Sequence, residues 1–452
     1  MGTLLRALSR HLRYQWFYWT TCGWSRDDRI GYSTEMDLSN RVQSIPSSVT
    51  LQVTARIREL KAEGKDVIGF GAGEPNFTTP DVICQAAIAS LEAGVTGYQA
   101  VPGTIPAREA IAEKLRVENN IECQASDIVI SAGGKHAIYL VCQALLDPGR
   151  GQEVVLPTPA WVGYRPSIEL SGGTVVEVPG STDRDFKITP QQLDEAITDK
   201  TTMVIFNTPS NPCGTAYTPE EIRALAEVLA AHPEPMILSD EIYEKLLYGG
   251  FEHLSFGSIP EIADRVITIN GLSKSFAMTG WRIGYTCAPG PVGGARGGLA
   301  KAMTRLQSQM NTCITSFTYA AIEAAMRDAD ADVATMCEAF AERAQVIYDQ
   351  ISRWPEVRCP KPTGAFYAFP DISAYFGRVS PGGKKIESAV DFASALLEET
   401  LVAVVPGEDF GEIARGHVRL SFATTVEQII EGCQRVEKWL TKISSHSAVG
   451  SA

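Results

Sequence analysis

Short, continuous apolar runs alternate with amphipathic helical stretches from about residue 50 to residue 310. Most of these runs lack the every-second-residue polarity of a half-exposed strand, so we expect strands that are buried on both faces. The predicted strands are residues 127–131, 153–157, 202–207, 236–240, 266–270 and 284–287. The predicted helices between them include residues 135–146, 219–231 and 297–309. This pattern indicates an α/β fold with a mainly parallel central sheet between helix layers.

The pattern changes after about residue 325 to that of a smaller α+β domain. Its predicted elements are helices at 330–353, 388–400 and 426–443 and strands near 365–369 and 418–422. We therefore predict a large domain over 76–325 and a small domain over 326–443, to which an N-terminal arm at 36–75 contributes. Residues 444–452 are small and polar and are predicted to form a frayed tail.

The first 35 residues differ from the rest of the chain, because they hold five arginines and no acidic residue before Asp27. One interpretation is an arginine-rich peptide that targets an organelle. The interpretation that we favour is that Met36 is the true start and that the upstream stretch is mis-assigned or disordered. Met36 directly precedes the first helical segment, which supports the second interpretation.

Composition restricts the partners and the cellular compartment. The chain has 452 residues and a net charge of −13, from 40 Lys and Arg against 53 Asp and Glu. This charge disfavours nucleic acid and anionic membranes as general partners, and no apolar run is long enough to span a bilayer. The ten cysteines lack the paired spacing of a zinc site. We therefore expect no metal and a reducing, cytoplasmic location.

Polar side chains end several predicted strands, namely Ser131, Asn207, Asp240 and Asn270. In open α/β sheets the ligand binds beyond the carboxyl ends of the strands. We therefore expect these side chains to converge on one site.

Lys274 follows the predicted strand 266–270 after a few small residues, and Arg282 comes eight positions later. A lysine and a nearby arginine at the edge of an α/β sheet suit a ligand with an aldehyde and a phosphate. Pyridoxal 5′-phosphate carries both groups, and its aldehyde binds lysine covalently. The alternative is a surface lysine that happens to follow a strand.

Other residues match the remaining needs of this cofactor. A carboxylate must keep the pyridine nitrogen protonated, and Asp240 is placed for this, although a helix N-cap is an alternative role. Tyr243 and Asn211 are candidate donors to the phenolic oxygen, although Asn211 also precedes proline, as turn residues often do. Trp161 is a candidate to stack on the ring, with a core position as the alternative.

The phosphate and the substrate need positive charge. Residues 131–135 follow a predicted strand and open a helix, so Gly133, Gly134 and Lys135 predict an anion site at a helix N-terminus. The glycine pair also fits a simple tight turn. Arg282 would add a bidentate clamp on the phosphate. Arg419 lies within an apolar predicted strand, where a charge is costly unless an anion pairs with it.

Taken in order, these motifs resemble those of class I aminotransferases, which use pyridoxal 5′-phosphate and have fold type I. The similarity is greatest to the bacterial branch of aspartate and prephenate aminotransferases. The motifs lie at residues 71–75, 133–135, 161, 207–214, 239–243, 270–285 and 417–422, and the match covers about residues 36–443.

The resemblance implies a two-step exchange of an amino group between an amino acid and a 2-oxo acid. Lys274, Asp240 and Tyr243 form the implied catalytic set, in which Lys274 holds the cofactor and carries the proton. The other implied cofactor ligands are Gly133, Gly134, Lys135, Trp161, Asn211, Ser273, Arg282 and Tyr98. The implied substrate ligands are Gly73, Trp161, Asn211, Arg419, Lys135, Ser48 and Thr50.

Tyr98 matches the tyrosine that family members lend to the neighbouring subunit, so the resemblance implies a homodimer. Lys135 with Ser48 and Thr50 would bind a distal carboxylate, which favours aspartate and 2-oxoglutarate. In the alternative, Lys135 serves only the phosphate and Ser48 only a turn. The same scaffold also supports transamination of aromatic amino acids, alanine, kynurenine or prephenate, and carbon–sulfur β-lyase chemistry. A cofactor-binding regulator without turnover is a further alternative.

Overall fold

A computed structural model of the chain describes residues 38–43, 45, 49–288 and 298–447. The chain divides into two compact units, Met1–Pro46 and Ser47–Ala452. In the first unit the structure describes the short helix Asn40–Gln43. The predictions about residues 1–35 and about Met36 concern residues outside the described part of the chain and stay predictions.

The second unit contains a seven-stranded sheet and two smaller sheets. Its strands are β1 Ile68–Gly69, β2 Ile128–Ser131, β3 Glu153–Thr158, β4 Thr174–Pro179, β5 Thr201–Asn207, β6 Met236–Asp240, β7 Val266–Gly271, β8 Gly284–Cys287, β9 Tyr367–Ala368, β10 Val402–Ala403, β11 Val405–Pro406 and β12 Val418–Ser421. The large sheet has the order β2-β8-β7-β6-β5-β3-β4. The strands β3 to β7 pair in parallel, whereas β8 runs antiparallel to both of its neighbours. The predicted α/β fold with a mainly parallel sheet is confirmed.

Helices cover the strands. In the second unit they are Val49–Ala62, Asp81–Glu92, Ile105–Glu118, Gly134–Leu145, Tyr164–Leu170, Pro190–Ala196, Pro219–Ala231, Leu299–Met310, Thr318–Asp328, Asp330–Ile351, Ala389–Thr400 and Val426–Ser447. Local sequence fixes several of their ends. Before Pro219, for example, Thr218 and Glu221 form a reciprocal capping box that satisfies backbone N–H groups of the first turn. The last helix continues through Ser447, so the predicted tail from residue 444 begins as helix.

The strands of the large sheet are buried on both faces, which explains their continuous apolar runs. In β5, Met203 and Ile205 pack into one core cluster, while Val204 and Phe206 pack into another cluster. A strand alternates its side chains between the two faces of the sheet, so both faces need apolar residues. The edge strand β4 is only partly buried and carries Glu177 among its valines, and its pattern was not recognised as a strand.

The C-terminal elements form a core of their own. The three-stranded sheet β11-β12-β9 is antiparallel, and β1 pairs in parallel with β10. Phe70 from the N-terminal part and Phe340, Phe366 and Phe392 are buried in the same cluster. This shared core is consistent with an arm that completes a small domain, but residues 47–452 form one compact unit, so the division into two domains stays a prediction. None of the described helices is long and apolar enough to cross a membrane.

Candidate active site

A cavity of about 690 Å³ opens beyond the carboxyl ends of β5 and β6. Most of the residues singled out in the sequence line this cavity. They are Gly73, Gly134, Lys135, Trp161, Asn211, Asp240, Tyr243, Ser273, Lys274, Arg282 and Arg419. The structure thus brings together residues that are up to about 350 positions apart in the chain.

Lys274 lies in the loop between β7 and β8 and projects into the cavity, where its Nζ donates to the carbonyl oxygen of Gly73. Burial lowers the pKa of this amine to about 8, and the neighbouring charge of Arg419 lowers it further in the same direction. Near neutral pH a useful fraction of the amine is therefore unprotonated. The geometry and the charge state suit both a nucleophile and a proton carrier.

Asp240 ends β6 and is buried below the cavity. Its Oδ2 accepts a hydrogen bond of 2.6 Å from the Tyr164 hydroxyl, and its Oδ1 accepts from the backbone N–H of Ile242 at 3.2 Å. Burial raises the pKa of Asp240 to about 6, although the bond from Tyr164 acts in the opposite direction. A cationic ligand beside it would keep this carboxylate ionised.

Arg419, in the middle of β12, is 6% exposed. Its Nη1 donates to Asn211 Oδ1 at 3.0 Å and its Nη2 to the carbonyl oxygen of Gly71 at 3.2 Å. Its Nε is buried without an acceptor, and no carboxylate in the described part of the chain pairs with it. The guanidinium carbon lies 4.7 Å from the ring centroid of Tyr367. A buried, half-satisfied guanidinium of this kind fits the carboxylate of a ligand.

The Tyr243 ring stands between Lys274 and Tyr367. Its hydroxyl lies 3.0 Å from the Tyr367 hydroxyl, and its ring centroid lies 6.0 Å from Lys274 Nζ. Burial raises the pKa of Tyr243 well above its ordinary value, so the hydroxyl stays protonated and can donate.

The N-terminus of helix Gly134–Leu145 forms a cradle for an anion. The N–H groups of Gly134 and Lys135 begin the helix and have no acceptor within it, whereas the N–H of His136 already donates to the carbonyl oxygen of Gly133 at 3.1 Å. Gly133, at the N-cap, has φ +87°, and a Cβ built on it would lie 2.4 Å from Arg282 Nη2. The cradle therefore has room for the Arg282 guanidinium only because residue 133 has no side chain. This donor set, with Lys274 and Arg419 nearby, fits the phosphate of pyridoxal 5′-phosphate.

Replacing Gly133 with alanine is expected to weaken binding of pyridoxal 5′-phosphate about tenfold or more, because the new methyl group displaces Arg282. Gly149→Ala is the matched control, since Gly149 has φ +84° but a Cβ there meets nothing within 4 Å in the described part of the chain. Both substitutions impose similar backbone strain, about 1 kcal/mol or more. Equilibrium titration of the apoprotein with cofactor measures the difference, and equal affinities in the two variants would contradict the cradle.

Trp161 lines the cavity and meets the Tyr164 ring edge-on, at 5.3 Å between centroids. Lys135 Nζ lies 4.9 Å from the centroid of a Trp161 ring. Lys135 lines the cavity and forms no ion pair with an acid of the described chain, and burial and the nearby charge of Arg282 lower its pKa. Its charge is therefore free to act on a ligand.

Other predicted placements differ from the structure or lie outside it. Asn207 and Asp240 line the cavity, but Ser131 and Asn270 do not, so the expected convergence of these side chains is only partly correct. Asn270 points to the opposite side, where its Nδ2 donates to Glu244 at 2.7 Å. Ser131 contributes only by leading the chain into the glycine cradle. Ser48 and the side chain of Thr50 lie outside the described residues.

Tyr98 is 90% exposed and does not line the cavity of its own chain. A tyrosine so exposed is available to a neighbouring molecule. Its role in a dimer stays a prediction.

Sequence reasoning missed residues that support the site from behind. Tyr164 donates to Asp240, and Tyr367 contacts both Tyr243 and Arg419. Asn207, which was expected at the site, also links β6 to the Asn211 turn. Tyr164 follows Trp161 by three residues, so its position after a strand was an available signal. Tyr367 carries no such signal, because it lies in an ordinary apolar strand.

The fold and the cavity define the class of protein. It is an α/β protein with a cavity beyond the ends of parallel strands, and the cavity lining suits an anionic ligand. A family model described as aminotransferase class I and II matches residues 65–436. The chain belongs to this family and is a transaminase, as the sequence motifs predicted. The family is known to use pyridoxal 5′-phosphate.

Named relatives agree with this assignment. The chain is 44% identical to the aspartate/prephenate aminotransferase of Cereibacter sphaeroides over 409 residues, which cover 90% of this chain and 99% of the relative. The solved structure of the Rhizobium meliloti aspartate aminotransferase has a TM-score of 0.85 at 36% identity and covers 90% of this chain and 100% of that chain. The Thermus thermophilus aspartate aminotransferase, solved with maleate, has a TM-score of 0.80 at 37% identity, with 89% and 100% covered.

Proposed function

We propose that this transaminase holds pyridoxal 5′-phosphate in the cavity and exchanges an amino group between aspartate and 2-oxoglutarate. The observation that carries the proposal is the common cavity of Lys274 and Arg419. Amino acids and 2-oxo acids all carry the α-carboxylate that the buried, half-satisfied Arg419 guanidinium suits. The lowered pKa of Lys274, about 8, suits proton transfer at the adjacent carbon.

The cavity offers a partner for each group of the cofactor. Lys274 would bind the aldehyde carbon, Asp240 the pyridine nitrogen, Tyr243 and Asn211 the phenolic oxygen, and Trp161 the ring face. The residues proposed for the phosphate are Gly133, Gly134, Lys135, Ser273 and Arg282. When bound, the cofactor supplies an electron sink for the negative charge that develops at the substrate Cα.

The protein's own residues supply positioning and proton transfer. Arg419, with Asn211 beside it, holds the α-carboxylate and so fixes the direction of the Cα–H bond. Once the substrate's amino group has replaced the Lys274 amine at the aldehyde carbon, the freed amine would take the proton from Cα and return it to the cofactor's C4′ carbon. Asp240, kept ionised by the positive charge of the ring nitrogen, stabilises that nitrogen in its protonated form.

The preference for a dicarboxylate rests on Lys135 and on the relatives. Lys135 extends along the cavity wall over Trp161, where its charge can meet a distal carboxylate. We propose Ser48 and Thr50 as further ligands of that carboxylate. The relatives named above act on aspartate by name, and one was solved with maleate, a dicarboxylate.

The half-reaction with a set of amino acids tests the substrate. The cofactor absorbance is expected to change faster with aspartate than with phenylalanine, alanine, kynurenine or a sulfur amino acid. Lys135→Ala should slow aspartate about tenfold to 100-fold more than phenylalanine, because a charge-assisted hydrogen bond contributes about 1.5–3 kcal/mol. Equal losses with both donors would show that Lys135 acts on the phosphate alone, and a faster reaction with phenylalanine would favour an aromatic aminotransferase. Prephenate is tested in the second half-reaction as an acceptor beside 2-oxoglutarate.

We further propose a homodimer in which Tyr98 reaches the phosphate in the neighbouring subunit. Its 90% exposure supports this placement, and Ile105 and Met310 are other large apolar residues that are exposed in the single chain. Exposed apolar side chains of this size are typical of surfaces that another chain covers.

A further inference from the structure

A second group of charged side chains lies behind Asp240 and Tyr243, on the side away from the cavity. It consists of Glu241, Glu244, Lys114 and His253, and we call it the rear cluster. Glu241 is fully buried, and Glu244 and Lys114 are each less than a tenth exposed. The turn after β6 therefore places Asp240 and Tyr243 on the cavity side and the two glutamates on the opposite side.

Glu241 has a full set of donors. Its Oε1 accepts from the hydroxyls of Ser239 at 2.8 Å and Ser255 at 2.6 Å. Its Oε2 lies 3.0 Å from His253 Nε2 and accepts from Asn119 Nδ2 at 3.3 Å. Such a set satisfies the hydrogen-bonding capacity of both oxygens of this buried carboxylate.

Glu244 is paired mainly with Lys114. It accepts a hydrogen bond from Lys114 Nζ and others from Asn119 Nδ2 at 2.6 Å and Asn270 Nδ2 at 2.7 Å. Burial would raise the pKa of Glu244, but the charges of Lys114 and His253 lower it to about 2. Glu241, Glu244 and His253 offer atoms close enough for a metal ion, but Lys114 already supplies the cation there.

The charge balance of the rear cluster depends on His253. Within the cluster two glutamates face one lysine. Lys114 also contacts Glu118 at 3.7 Å, but Glu118 pairs with Lys245 at 2.6 Å, so the charges balance only when the His253 ring is protonated. The ionisable groups that face His253 are Glu241, Glu244 and Lys114. Burial lowers the pKa of His253, but the Glu241 and Glu244 carboxylates together outweigh burial and raise that pKa above its ordinary value.

We propose that His253, held as an imidazolium by Glu241, is a positioning residue that sets the electrostatic environment of Asp240 and of the cavity. The inference rests on the proposed function, in which Asp240 binds the cofactor's pyridine nitrogen. The rear cluster lies close to Asp240, because Glu241 directly follows Asp240 in the chain. The backbone N–H of Glu241 donates to the carbonyl oxygen of Ile269 in the neighbouring strand at 2.9 Å. The negative charge of Glu241 already acts on Asp240, and His253 compensates that charge.

The two single substitutions in the rear cluster should therefore have different effects. His253→Gln removes a positive charge and should raise the pH midpoint of the bound cofactor's absorbance change by about 0.5–1 pH unit. Glu241→Gln removes a negative charge and also the carboxylate that holds the His253 proton, so both charges are lost and the midpoint should stay close to that of the wild type. The double variant should match Glu241→Gln, since both charges are absent in each.

The experiment is a pH titration of the cofactor absorbance in the holoenzyme. His232→Gln is the matched control, because His232 also pairs with a carboxylate, Asp194, at 2.7 Å but near the surface. The control midpoint should equal that of the wild type. A midpoint that does not move in His253→Gln, or that moves as far and in the same direction in Glu241→Gln, would overturn the inference. A wild-type protein without pH-dependent cofactor absorbance would instead overturn the proposed function and the inference with it.

Thermal unfolding of the apoprotein gives a second readout that needs no cofactor. A histidine whose folded pKa is raised stabilises the fold fully below its unfolded pKa of about 6.5, and the stabilisation is lost as pH rises through the folded pKa. The Tm difference between wild type and His253→Gln should therefore be largest below about pH 6.5 and should shrink at higher pH. A Tm difference between the two proteins that stays constant with pH would contradict the proposal that His253 is protonated. If Glu241→Gln does not fold, His253→Gln against His232→Gln decides the question alone.

Discussion

Lys274→Ala is expected to lower the rate of transamination by about 10⁴-fold or more, because it removes the group that carries the proton. No other lysine of the described chain combines a position in the cavity with a contact to Gly73. Its pKa of about 8 gives it the proton affinity that the transfer needs near neutral pH. The half-reaction with aspartate, followed by cofactor absorbance, measures the loss.

The same variant should also lose the pH-dependent absorbance of the bound cofactor, since no amine then attaches to the aldehyde. Lys385→Ala is the control, because Lys385 is an exposed lysine that pairs with Glu387 far from the site in sequence and structure. It should react at the wild-type rate. An unchanged spectrum in Lys274→Ala, or a rate within tenfold of the wild type, would refute the assignment of Lys274.

Arg419→Ala is expected to lower kcat/KM by about 10²- to 10³-fold for every amino acid and 2-oxo acid, mainly through KM. The loss of a bidentate, charge-assisted contact to a buried carboxylate costs about 3–4 kcal/mol, which corresponds to this range. Steady-state kinetics with aspartate, alanine and phenylalanine measure the effect.

Arg419→Lys separates charge from geometry at the same position. Lysine keeps the positive charge but cannot reproduce the planar fork that contacts Asn211 and Gly71, so an intermediate loss is expected. A decrease confined to one substrate in either variant would contradict a role for Arg419 in binding the α-carboxylate, which all of these substrates share.

Much of the fold and the site followed from the sequence for definable physical reasons. Strands such as β5 and β6 must be apolar on both faces. Their continuous apolar sequences and the polar residues at their ends could therefore be recognised in the sequence. Lys274, Asp240 and Arg419 carry charges that are costly in or beside apolar strands unless they have a function. A charged residue in or beside an apolar segment can be recognised from the sequence alone.

The parts that sequence reasoning missed have different causes. The edge strand β4 is half exposed and so has no continuous apolar run. Tyr367 looks like any core tyrosine until the fold places its hydroxyl against Tyr243. The direction of a side chain at a strand end also depends on register, and one residue of shift turned Asn270 to the rear rather than into the cavity.

The unpaired guanidinium of Arg419 also affects how long the protein survives. Any small carboxylate that binds it stabilises the folded chain by RT ln(1 + [L]/Kd), so the substrates of the enzyme are also its protectants. Molecules made in excess of their substrates would be the first to unfold and be degraded. The abundance of the enzyme would then follow the supply of amino acids and 2-oxo acids without any dedicated regulator.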